Sequence, residues 1–325
     1  MESRKAELCR YVLITPARDE AAFVEQTIQS VVAQTIRPVR WVVVSDGSTD
    51  GTDHIVQRCA DRHSWISLVR MPERRGRHFA GKVHAFNAGY AAIKSLDYEF
   101  IGNLDGDTAF PPDYFEYLLG NFARDPRLGL AGTNYFEASP KYDVQLTNAE
   151  DVPGICQLFR RECFEGIGGY QPVEAGGVDL IAVLSARMQG WKTRIFPDRF
   201  VLHLRPQGTA NSRPLMVHFV HGEHDYRFGG HPLWELFRVA YRITQRPFVV
   251  GGCLLGLGFI WALLSRMERA VPIDLIRFRR NEQIGRLGRF FRQRLPRAVN
   301  RDYGSLLLVA CCYICADCSD LFVAT

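Results

Sequence analysis

The chain of 325 residues is 47% hydrophobic and 23% charged, which excludes disordered, collagen-like and low-complexity proteins. Its length suffices for one large or two modest domains with a buried core. The formal charge of +5 is too small to indicate a nucleic-acid-binding protein, so we expect no nucleic-acid partner.

The nine cysteines do not have the spacing of a disulfide framework. Five are scattered, mostly in apolar surroundings that suit reduced, buried thiols: Cys9, Cys59, Cys156, Cys163 and Cys253. No apolar signal-peptide core precedes Tyr11. Both observations predict a cytoplasmic, reducing location.

Short β-rich runs alternate with amphipathic stretches in the first 110 residues. The predicted elements, in chain order, are the strand Tyr11–Thr15, the helix Glu20–Gln34, the strand Trp41–Ser45, the helix Thr52–Arg62, the strand Ile66–Val69, the helix Lys82–Lys94 and the strand Tyr98–Leu104. This alternation predicts an α/β fold with a parallel sheet covered by helices on both faces. Ligands of such sheets bind beyond the carboxyl ends of the strands.

Polar residues follow the first two predicted strands. The first strand leads into Thr15-Pro16-Ala17-Arg18-Asp19-Glu20, and Asp46 lies where the second ends. Its carboxylate can accept hydrogen bonds from a base or ribose, although Asp46 and Ser48 suit the capping of a turn and the next helix equally well. No glycine-rich phosphate loop follows any strand, so a metal ion is the obvious alternative for binding phosphates.

The fourth strand ends in Asp105-Gly106-Asp107. Alternate residues of an extended backbone point the same way, so both carboxylates can face one ligand. Paired carboxylates of this kind form a hard-oxygen site for Mg²⁺ or Mn²⁺. Asp-x-Asp also occurs in ordinary turns, but its place beside two other strand ends favours metal binding.

Three motifs in this order, ITPARDE, VVVSDGSTDGT and the strand-end DGD, resemble those of inverting family 2 glycosyltransferases with the GT-A fold, over about residues 10–205. The later stretches QLFRRECFEGIGGY, GWKTRIFPD and GGHPLWELFR resemble bacterial members that build exopolysaccharide and other cell-surface glycans. The resemblance implies a Rossmann-like, mostly parallel sheet. It also implies a nucleotide-diphosphate sugar donor, for which we expect a UDP-sugar, and a divalent cation, Mn²⁺ or Mg²⁺.

The resemblance assigns roles to individual donor-site residues. Pro16, Ala17 and Glu20 match the donor site after the first strand, and Asp46 matches the residue that contacts the nucleobase. Lys82 lies where the family often places a basic residue near the donor, although a solvated lysine at a helix start fits almost as well.

The same resemblance implies a metal site. Asp105 matches the carboxylate near the ribose and the metal, and Asp107 matches the residue most directly bound to the metal. His203, after the predicted strand Lys192–Phe196, matches a third ligand, although a lone histidine is more often structural. Arg205 on the same loop would balance diphosphate charge.

Inverting transfer requires a carboxylate that deprotonates the acceptor hydroxyl. The family usually carries it in a Glu-Asp pair after a glycine-rich turn and before a helix. Here Val178 stands where the glutamate of that pair is expected, and Asp179 matches the aspartate. Asp179 is therefore the expected catalytic base, and Glu174 is the fallback. Asp179 would also cap the predicted helix Leu180–Gln189, a role compatible with catalysis.

The C-terminal third carries the longest apolar run and much of the basic excess. Phe248–Leu264 has no charged residue and is at the short limit for a membrane-spanning helix. The stretch that follows mixes arginines with Phe and Leu, as in a basic interfacial helix. We expect a membrane-associated helical region over 241–299, with a buried helix as the alternative.

Three further patterns are weaker. Gln157–Arg161 begins like the Gln-x-x-Arg-Trp motif of processive synthases, but it lacks the Trp and precedes Asp179, which favours non-processive transfer. A histidine group resembles a second metal site, although a flexible loop explains it as well: His218, His221, His224 and His231. The cysteines of CCYICADC suggest iron–sulfur ligation, but no partner cluster exists and an apolar tail is favoured.

These observations predict a glycosyltransferase domain over 1–240, with a donor half (10–110) and an acceptor half (111–240), then the membrane-associated region and an atypical tail over 300–325. The predicted activity is metal-dependent, inverting sugar transfer to a lipid-linked or cell-surface glycan on the cytoplasmic side of the bacterial inner membrane. A metal-dependent nucleotidyltransferase and a catalytically degenerate membrane scaffold are the alternatives.

Overall fold

The structure, a computed structural model, describes residues 10–73, 79–137, 148–205 and 215–294. Cys9 and the predicted tail over 300–325 lie outside the described residues. The chain divides into two compact units, Met1–Gln207 and Gly208–Thr325. This division falls earlier in the chain than the predicted domain boundary after residue 240.

Unit 1 is built on one eight-stranded sheet in the order β3-β2-β1-β4-β7-β6-β8-β5. The strands are β1 (Tyr11–Ala17), β2 (Arg40–Asp46), β3 (Ile66–Met71), β4 (Phe100–Leu104), β5 (Thr108–Ala109), β6 (Leu128–Glu137), β7 (Cys156–Arg160) and β8 (Lys192–His203). Three neighbouring pairs, β4–β7, β6–β7 and β5–β8, are antiparallel. The sheet is therefore mixed rather than mostly parallel, because the strand–helix alternation behind that prediction covers only the first 110 residues.

Helices cover both faces of this sheet, as the sequence predicts. They are α1 (Val24–Val32), α2 (Thr52–Ala60), α3 (Phe79–Ile93), α4 (Tyr114–Arg124), α5 (Arg161–Gly166) and α6 (Val178–Met188). Tyr11 and Leu13 of β1 join a core with α1 and α4, whereas Val12 and Ile14 join a second core with α3 and α6. Burial on both faces explains why β1 is a continuous apolar run.

The strand directions place one end of the sheet at the candidate site. Strands β2, β3 and β4 run parallel to β1, and β6 and β8 run parallel to each other. Antiparallel β7 lies between β4 and β6, so β6 and β8 also run in the direction of β4. The carboxyl ends of six strands therefore share one edge, which we call the catalytic edge.

Two predicted elements near this edge have different bounds. The predicted strand Lys192–Phe196 continues across a bulge to His203, so this histidine ends β8 rather than following it in a loop. The predicted helix Leu180–Gln189 begins at Val178, which places Asp179 inside its first turn. The first difference arises from pairing with the distant β6, which local composition does not reveal, and the second from an N-cap at Gly177.

Unit 2 is helical over its described residues, with α7 (Met216–Arg227), α8 (Pro232–Ile243), α9 (Val250–Leu264) and α10 (Ile273–Arg294). Glycines bring α7 and α9 together: a Cβ on Gly258 would lie 2.0 Å from the Phe219 carbonyl oxygen, and one on Gly222 would lie 2.0 Å from that of Leu255. At 1.5 Å per residue, α9 is about 22 Å long. None of the described helices combines the length and apolarity needed to cross a bilayer.

Among the described cysteines, burial is uneven. Cys156 and Cys163 are buried, Cys59 is partly buried, and all are free thiols. Cys253 is also free but exposed, contrary to the expectation from its apolar neighbours, because it lies on the face of α9 directed away from the glycines. The prediction of reduced, buried thiols is thus wrong for Cys253.

Candidate active site

Side chains of the second strand-end loop hold the backbone of the first. The Asp19 amide donates to Ser48 Oγ at 3.1 Å, and the Glu20 amide donates to Thr52 Oγ1 at 2.8 Å. In return the Thr49 amide donates to Asp19 Oδ1 at 3.0 Å. These bonds keep Asp19 in the left-handed region, at φ +54°, and make the two loops one rigid rim.

The predicted donor residues lie side by side on this rim. Pro16 and Ala17 are the last residues of β1 and pair with Val44 and Ser45. Asp46 ends β2 with only 4% of its surface exposed, and its Oδ2 lies 4.0 Å from the Arg18 guanidinium. The N-cap of the next helix is Gly51, so neither Asp46 nor Ser48 caps it, and Asp50 Oδ1 accepts from the Thr52 amide at 3.0 Å.

The turn that carries Asp105 and Asp107 is anchored by a buried threonine of α1. Thr27 Oγ1 donates to the Gly106 carbonyl at 2.9 Å and accepts from the Thr108 amide at 3.0 Å. From the other side, the Asp105 amide donates to the Ile155 carbonyl at 3.0 Å. Thr27 lies among apolar residues within the predicted helix Glu20–Gln34, and a polar residue in that position was the available signal.

Lys82 lies in the first turn of α3 and contacts the carboxylates directly. Its Nζ donates to Asp105 Oδ1 at 2.5 Å, so it is an ion-paired lysine, although 48% of its side chain remains exposed. Burial opposes its charge, but Asp105, Asp179 and Asp107 outweigh that effect and raise the pKa of Lys82. The pKa of Asp105 is raised as well, chiefly by burial, although Lys82 opposes the rise.

Asp107 and His203 form the candidate metal site. Asp107 Oδ2 lies 3.4 Å from His203 Nε2, and each residue is 7% exposed. The Leu204 amide donates to the Asp107 carbonyl at 2.8 Å, which ties the end of β8 to the turn. His203 Nδ1 is buried without a hydrogen-bond partner in the structure.

The Asp107 carboxylate suits Mn²⁺ or Mg²⁺, whereas an imidazole is more typical of Zn²⁺ or Fe²⁺, so the residues present fit Mn²⁺ or Mg²⁺ in part. Asp105 is engaged by Lys82, and Arg205 Nε lies 3.5 Å from Asp107 Oδ2. Arg205 Nη2 also donates to Glu20 Oε2 at 2.5 Å, which connects the metal site to the donor rim. Over the described ranges no three His, Cys, Asp or Glu side chains converge as a complete ligand set.

Asp179 reaches the same edge from α6. It follows Gly176 and Gly177, both with positive φ (+78° and +68°), a conformation that explains the glycine pair before the helix. A Cβ on Gly154 would lie 3.1 Å from Asp179 Oδ2, so Gly154 leaves room for the carboxylate. Glu174, the fallback base, is exposed.

The weaker sequence patterns have structural explanations. Gln157 lies within β7, where it accepts from the Tyr170 hydroxyl at 2.5 Å and donates to the Val152 carbonyl at 2.9 Å. His231 caps α8 through a 3.1 Å bond from the Leu233 amide to its Nδ1. The histidine group of unit 2 does not converge as a second metal site within the described residues.

The fold has solved counterparts. A mannosyltransferase of Pyrobaculum calidifontis, PcManGT in complex with GDP-Man and Mn²⁺, is 20% identical, with a TM-score of 0.53 over 94% of this chain and 85% of that one. S. aureus TarS is 14% identical, with a TM-score of 0.53 over 82% of this chain and 50% of that one. These likenesses identify an α/β fold with a GT-A-like mixed sheet.

Residues 12–152 match the model of the family described as Glycosyl transferase family 2. A poly-beta-1,6-N-acetyl-D-glucosamine synthase of Staphylococcus aureus (strain COL) is 30% identical over 164 residues, which are 50% of this chain and 35% of the relative. That of Staphylococcus epidermidis is 29% identical over 116 residues, which are 36% of this chain and 26% of the relative. The chain therefore matches about a third or less of these curated relatives.

Residues 12–152 of the chain therefore match a family 2 glycosyltransferase domain. The resemblance of the three strand-end motifs to family 2 glycosyltransferases is confirmed over these residues. All three motifs lie within the matched residues.

Proposed function

We propose that this protein transfers one sugar per encounter from a nucleotide-diphosphate sugar to a hydroxyl group of a glycan or lipid-linked acceptor, with inversion at the anomeric carbon. The observation that carries the proposal is the convergence of a base candidate, a carboxylate–imidazole pair and a lysine at one edge of the sheet. Four different segments of the chain carry these side chains, which are Asp179, Asp107 with His203, and Lys82.

The donor would lie along the rim formed by the β1 and β2 loops. Asp46 would accept hydrogen bonds from the base, and the end of β1, at Pro16 and Ala17, would line the nucleoside. Lys82 and Arg205 would supply positive charge toward the diphosphate. We take UDP-N-acetylglucosamine as the first donor to test, because the curated relatives are named as synthases of an N-acetylglucosamine polymer.

Asp107 and His203 would hold Mn²⁺ or Mg²⁺, with Asp105 beside them. When bound, the cation supplies charge neutralisation of the leaving diphosphate. A solved structure of similar fold contains Mn²⁺ with a nucleotide sugar, which supports this proposal.

In the proposed reaction Asp179 accepts the proton of the acceptor hydroxyl. The hydroxyl oxygen forms a bond to the anomeric carbon while the bond from that carbon to the diphosphate oxygen breaks. Attack opposite the leaving group inverts the configuration, and the nucleoside diphosphate departs with the bonding electron pair. Val178 replaces the usual glutamate, but Asp179 lies at the site in spite of that replacement.

Donor binding provides the primary test. We expect Mn²⁺ to increase the thermal stabilisation by UDP-N-acetylglucosamine, and Asp107→Asn to weaken that Mn²⁺ effect by about tenfold or more in affinity. Asp97→Asn is the matched control, because Asp97 is an exposed acid before β4, at the opposite edge. An unchanged Mn²⁺ effect in Asp107→Asn would contradict the metal assignment.

Product analysis separates the enzyme from the two alternatives. With UDP-N-acetylglucosamine we expect release of UDP and a glycosylated product. A nucleotidyltransferase would instead release pyrophosphate when supplied with UTP and a sugar 1-phosphate, and a scaffold would consume no donor. The family match opposes the nucleotidyltransferase, and the presence of Asp179 at the site opposes the scaffold.

We also propose that unit 2 attaches the protein to the cytoplasmic face of the bacterial inner membrane by lying on the bilayer. One face of α9 carries exposed apolar side chains at helical spacing: Val250, Leu257, Ile260, Trp261 and Leu264, between 48% and 75% exposed. Arg277 of α10 is also well exposed, and a Trp with basic residues suits a lipid interface.

Vesicle binding tests this attachment. We expect Trp261→Ser combined with Leu264→Ser to reduce co-sedimentation with anionic phospholipid vesicles by about tenfold. Met188→Ser, at a hydrophobic position of unit 1 that is 43% exposed, is the control. Equal sedimentation of both proteins would refute the attachment through α9.

A further inference from the structure

An exposed pair of phenylalanines lies on the ribbon that carries His203. Beyond the bulge in β8, residues 134–137 of β6 pair with residues 200–203, and β5 pairs with the end of β8. Phe136 and Phe200 stand on this ribbon, with ring centroids 5.1 Å apart and planes at 79°. Each residue is 48% exposed.

The alternation of side chains shows which face of the sheet the pair occupies. Val201 is fully buried in the core with α1 and α4, and Tyr135 packs against that core. Their neighbours Phe200 and Phe136 therefore point to the opposite face. That face is covered by α3 and α6, whose first turns contain Lys82 and Asp179.

The position of the pair is unusual within unit 1. The other large hydrophobic side chains exposed in its described residues are Val39 and Met188. Val39 precedes β2 and Met188 ends α6, so both lie at the edge opposite to the site. An exposed aromatic pair thus occurs at the catalytic edge, on the face from which Asp179 approaches.

We propose that Phe136 and Phe200 form a subsite for a sugar ring of the acceptor glycan. This inference rests on the proposed transferase function and names where its acceptor binds. The C–H-rich face of a pyranose is apolar, and its polarised hydrogens suit the negative face of an aromatic ring. Two rings at nearly a right angle form a corner in which one ring stacks on the sugar and the other supports it.

The surroundings favour a saccharide over an acyl chain. Asn134 is the cross-strand neighbour of Phe200 and lies on the same face, so an amide with hydrogen-bond donors and acceptors adjoins the rings. An acyl chain would require a longer continuous apolar surface, whereas a sugar ring requires a ring-sized apolar face with polar groups at its border.

Direct binding by the full chain tests the subsite without catalysis. Saturation-transfer NMR would use tetrasaccharides of N-acetylglucosamine, glucose, mannose and galactose as probes. We expect at least one to bind, and Phe136→Ala and Phe200→Ala each to weaken that binding by about three- to tenfold. Met188→Ala is the matched control and should bind like the unaltered protein. Thermal denaturation of each variant checks that it is folded.

Two further substitutions distinguish ring stacking from general hydrophobic contact. Phe200→Tyr keeps a ring and should retain binding, whereas Phe200→Leu keeps an apolar side chain and should lose as much as Phe200→Ala. Full retention by Phe200→Leu would identify a nonspecific apolar or acyl contact and overturn the proposal. Absence of binding to all four probes, or equal binding by the alanine variants, would overturn it as well.

The failure of this inference is distinguishable from failure of the proposed function. Donor consumption by the unaltered protein is measured separately with UDP-N-acetylglucosamine and Mn²⁺. If oligosaccharide binding depends on the two phenylalanines but no donor is consumed, the subsite is supported and the transferase proposal is contradicted. If donor is consumed and the acceptor KM of both alanine variants equals that of the unaltered protein, the transferase proposal is supported and the subsite is contradicted.

Discussion

Glycines near Asp179 leave the space that its side chain occupies. Two glycines in left-handed conformations precede it, and Gly154 leaves the space into which its carboxylate extends. The side-chain Nδ2 of Asn103 donates to the Gly154 carbonyl at 2.8 Å, so this loop is tied to β4 beside Asp105. At the scale of the residue, the proposed base is positioned by the backbone around it within the described part of the chain.

Replacing Asp179 by Asn should therefore abolish turnover while leaving donor binding intact. We expect kcat to fall by about 10²- to 10⁴-fold, because an amide cannot accept the proton. Donor affinity, measured by thermal shift with Mn²⁺, should change less than about twofold. Glu174→Gln is the matched control for the exposed fallback base. Retained turnover in Asp179→Asn with loss in Glu174→Gln would transfer the role to Glu174.

The burial of each cysteine side chain should determine how fast its thiol reacts. Burial raises the pKa of both Cys156 and Cys163 to about 12, so both are protonated at pH 8 and unreactive in the folded chain. Cys253 is exposed. Brief alkylation with iodoacetamide at pH 8, followed by peptide mass spectrometry, should modify Cys253 and spare the other two. Modification of Cys156 at a comparable rate would contradict the buried β7.

At the scale of the element, α9 illustrates how glycines decide the use of an apolar helix. Its glycines face α7 and α8, where a Cβ on Gly252 would lie 2.8 Å from the Val239 carbonyl oxygen. The larger apolar side chains consequently project from the other face. The apolar sequence that suggests a membrane-spanning helix thus forms a short helix. One face of this helix packs against α7 and α8, and the other face is exposed.

A pair of alanine substitutions separates packing from helix propensity. Gly258→Ala introduces a Cβ 2.0 Å from the Phe219 carbonyl oxygen and should destabilise unit 2 by about 1–3 kcal/mol or more. Gly285→Ala in α10 meets no atom closer than 3.7 Å and should stabilise by about 0.5–1 kcal/mol. Urea denaturation measures both. Stabilisation by Gly258→Ala would show that α7 and α9 are not closely packed.

At the scale of the whole molecule, every predicted site residue belongs to unit 1. The sheet, both cores and the catalytic edge are complete without residues after 207. Unit 2 has its own charged core, in which Asp225 contacts Arg238 and pairs with Arg279 at 2.8 Å. The two units therefore have separate sources of stability.

A chain ending at residue 207 should keep nucleotide-sugar binding and lose vesicle binding. The expected result is a thermal shift with UDP-N-acetylglucosamine and Mn²⁺ close to that of the full chain, because the proposed donor site is intact. Co-sedimentation with anionic vesicles should fall to background. A folded shortened chain, verified by circular dichroism, that binds no nucleotide sugar would show that the donor site needs unit 2.

Strand-end motifs made the donor half predictable from sequence. Asp46, Asp105 and Asp107 each end or follow an apolar run, and parallel strands bring such positions to one edge. Sequence reasoning did not identify Thr27 as an anchor of the Asp105–Asp107 turn, because its two bonds join residues about 80 positions apart. The extension of β8 to His203 was equally hidden, since its pairing partner is the distant β6.

The amino-acid sequence by itself determined the resemblance to a glycosyltransferase family, the alternation of strands and helices, and the chemical types of the site residues, because these depend on local composition and spacing. The tertiary structure alone decided that Lys82 pairs with Asp105, that Asp107 faces His203, and that Phe136 and Phe200 are exposed at the catalytic edge. It also decided that the sheet is mixed and that α9 is too short to span a bilayer. Contacts of this kind depend on strand pairing and helix packing between distant segments, which local composition does not encode.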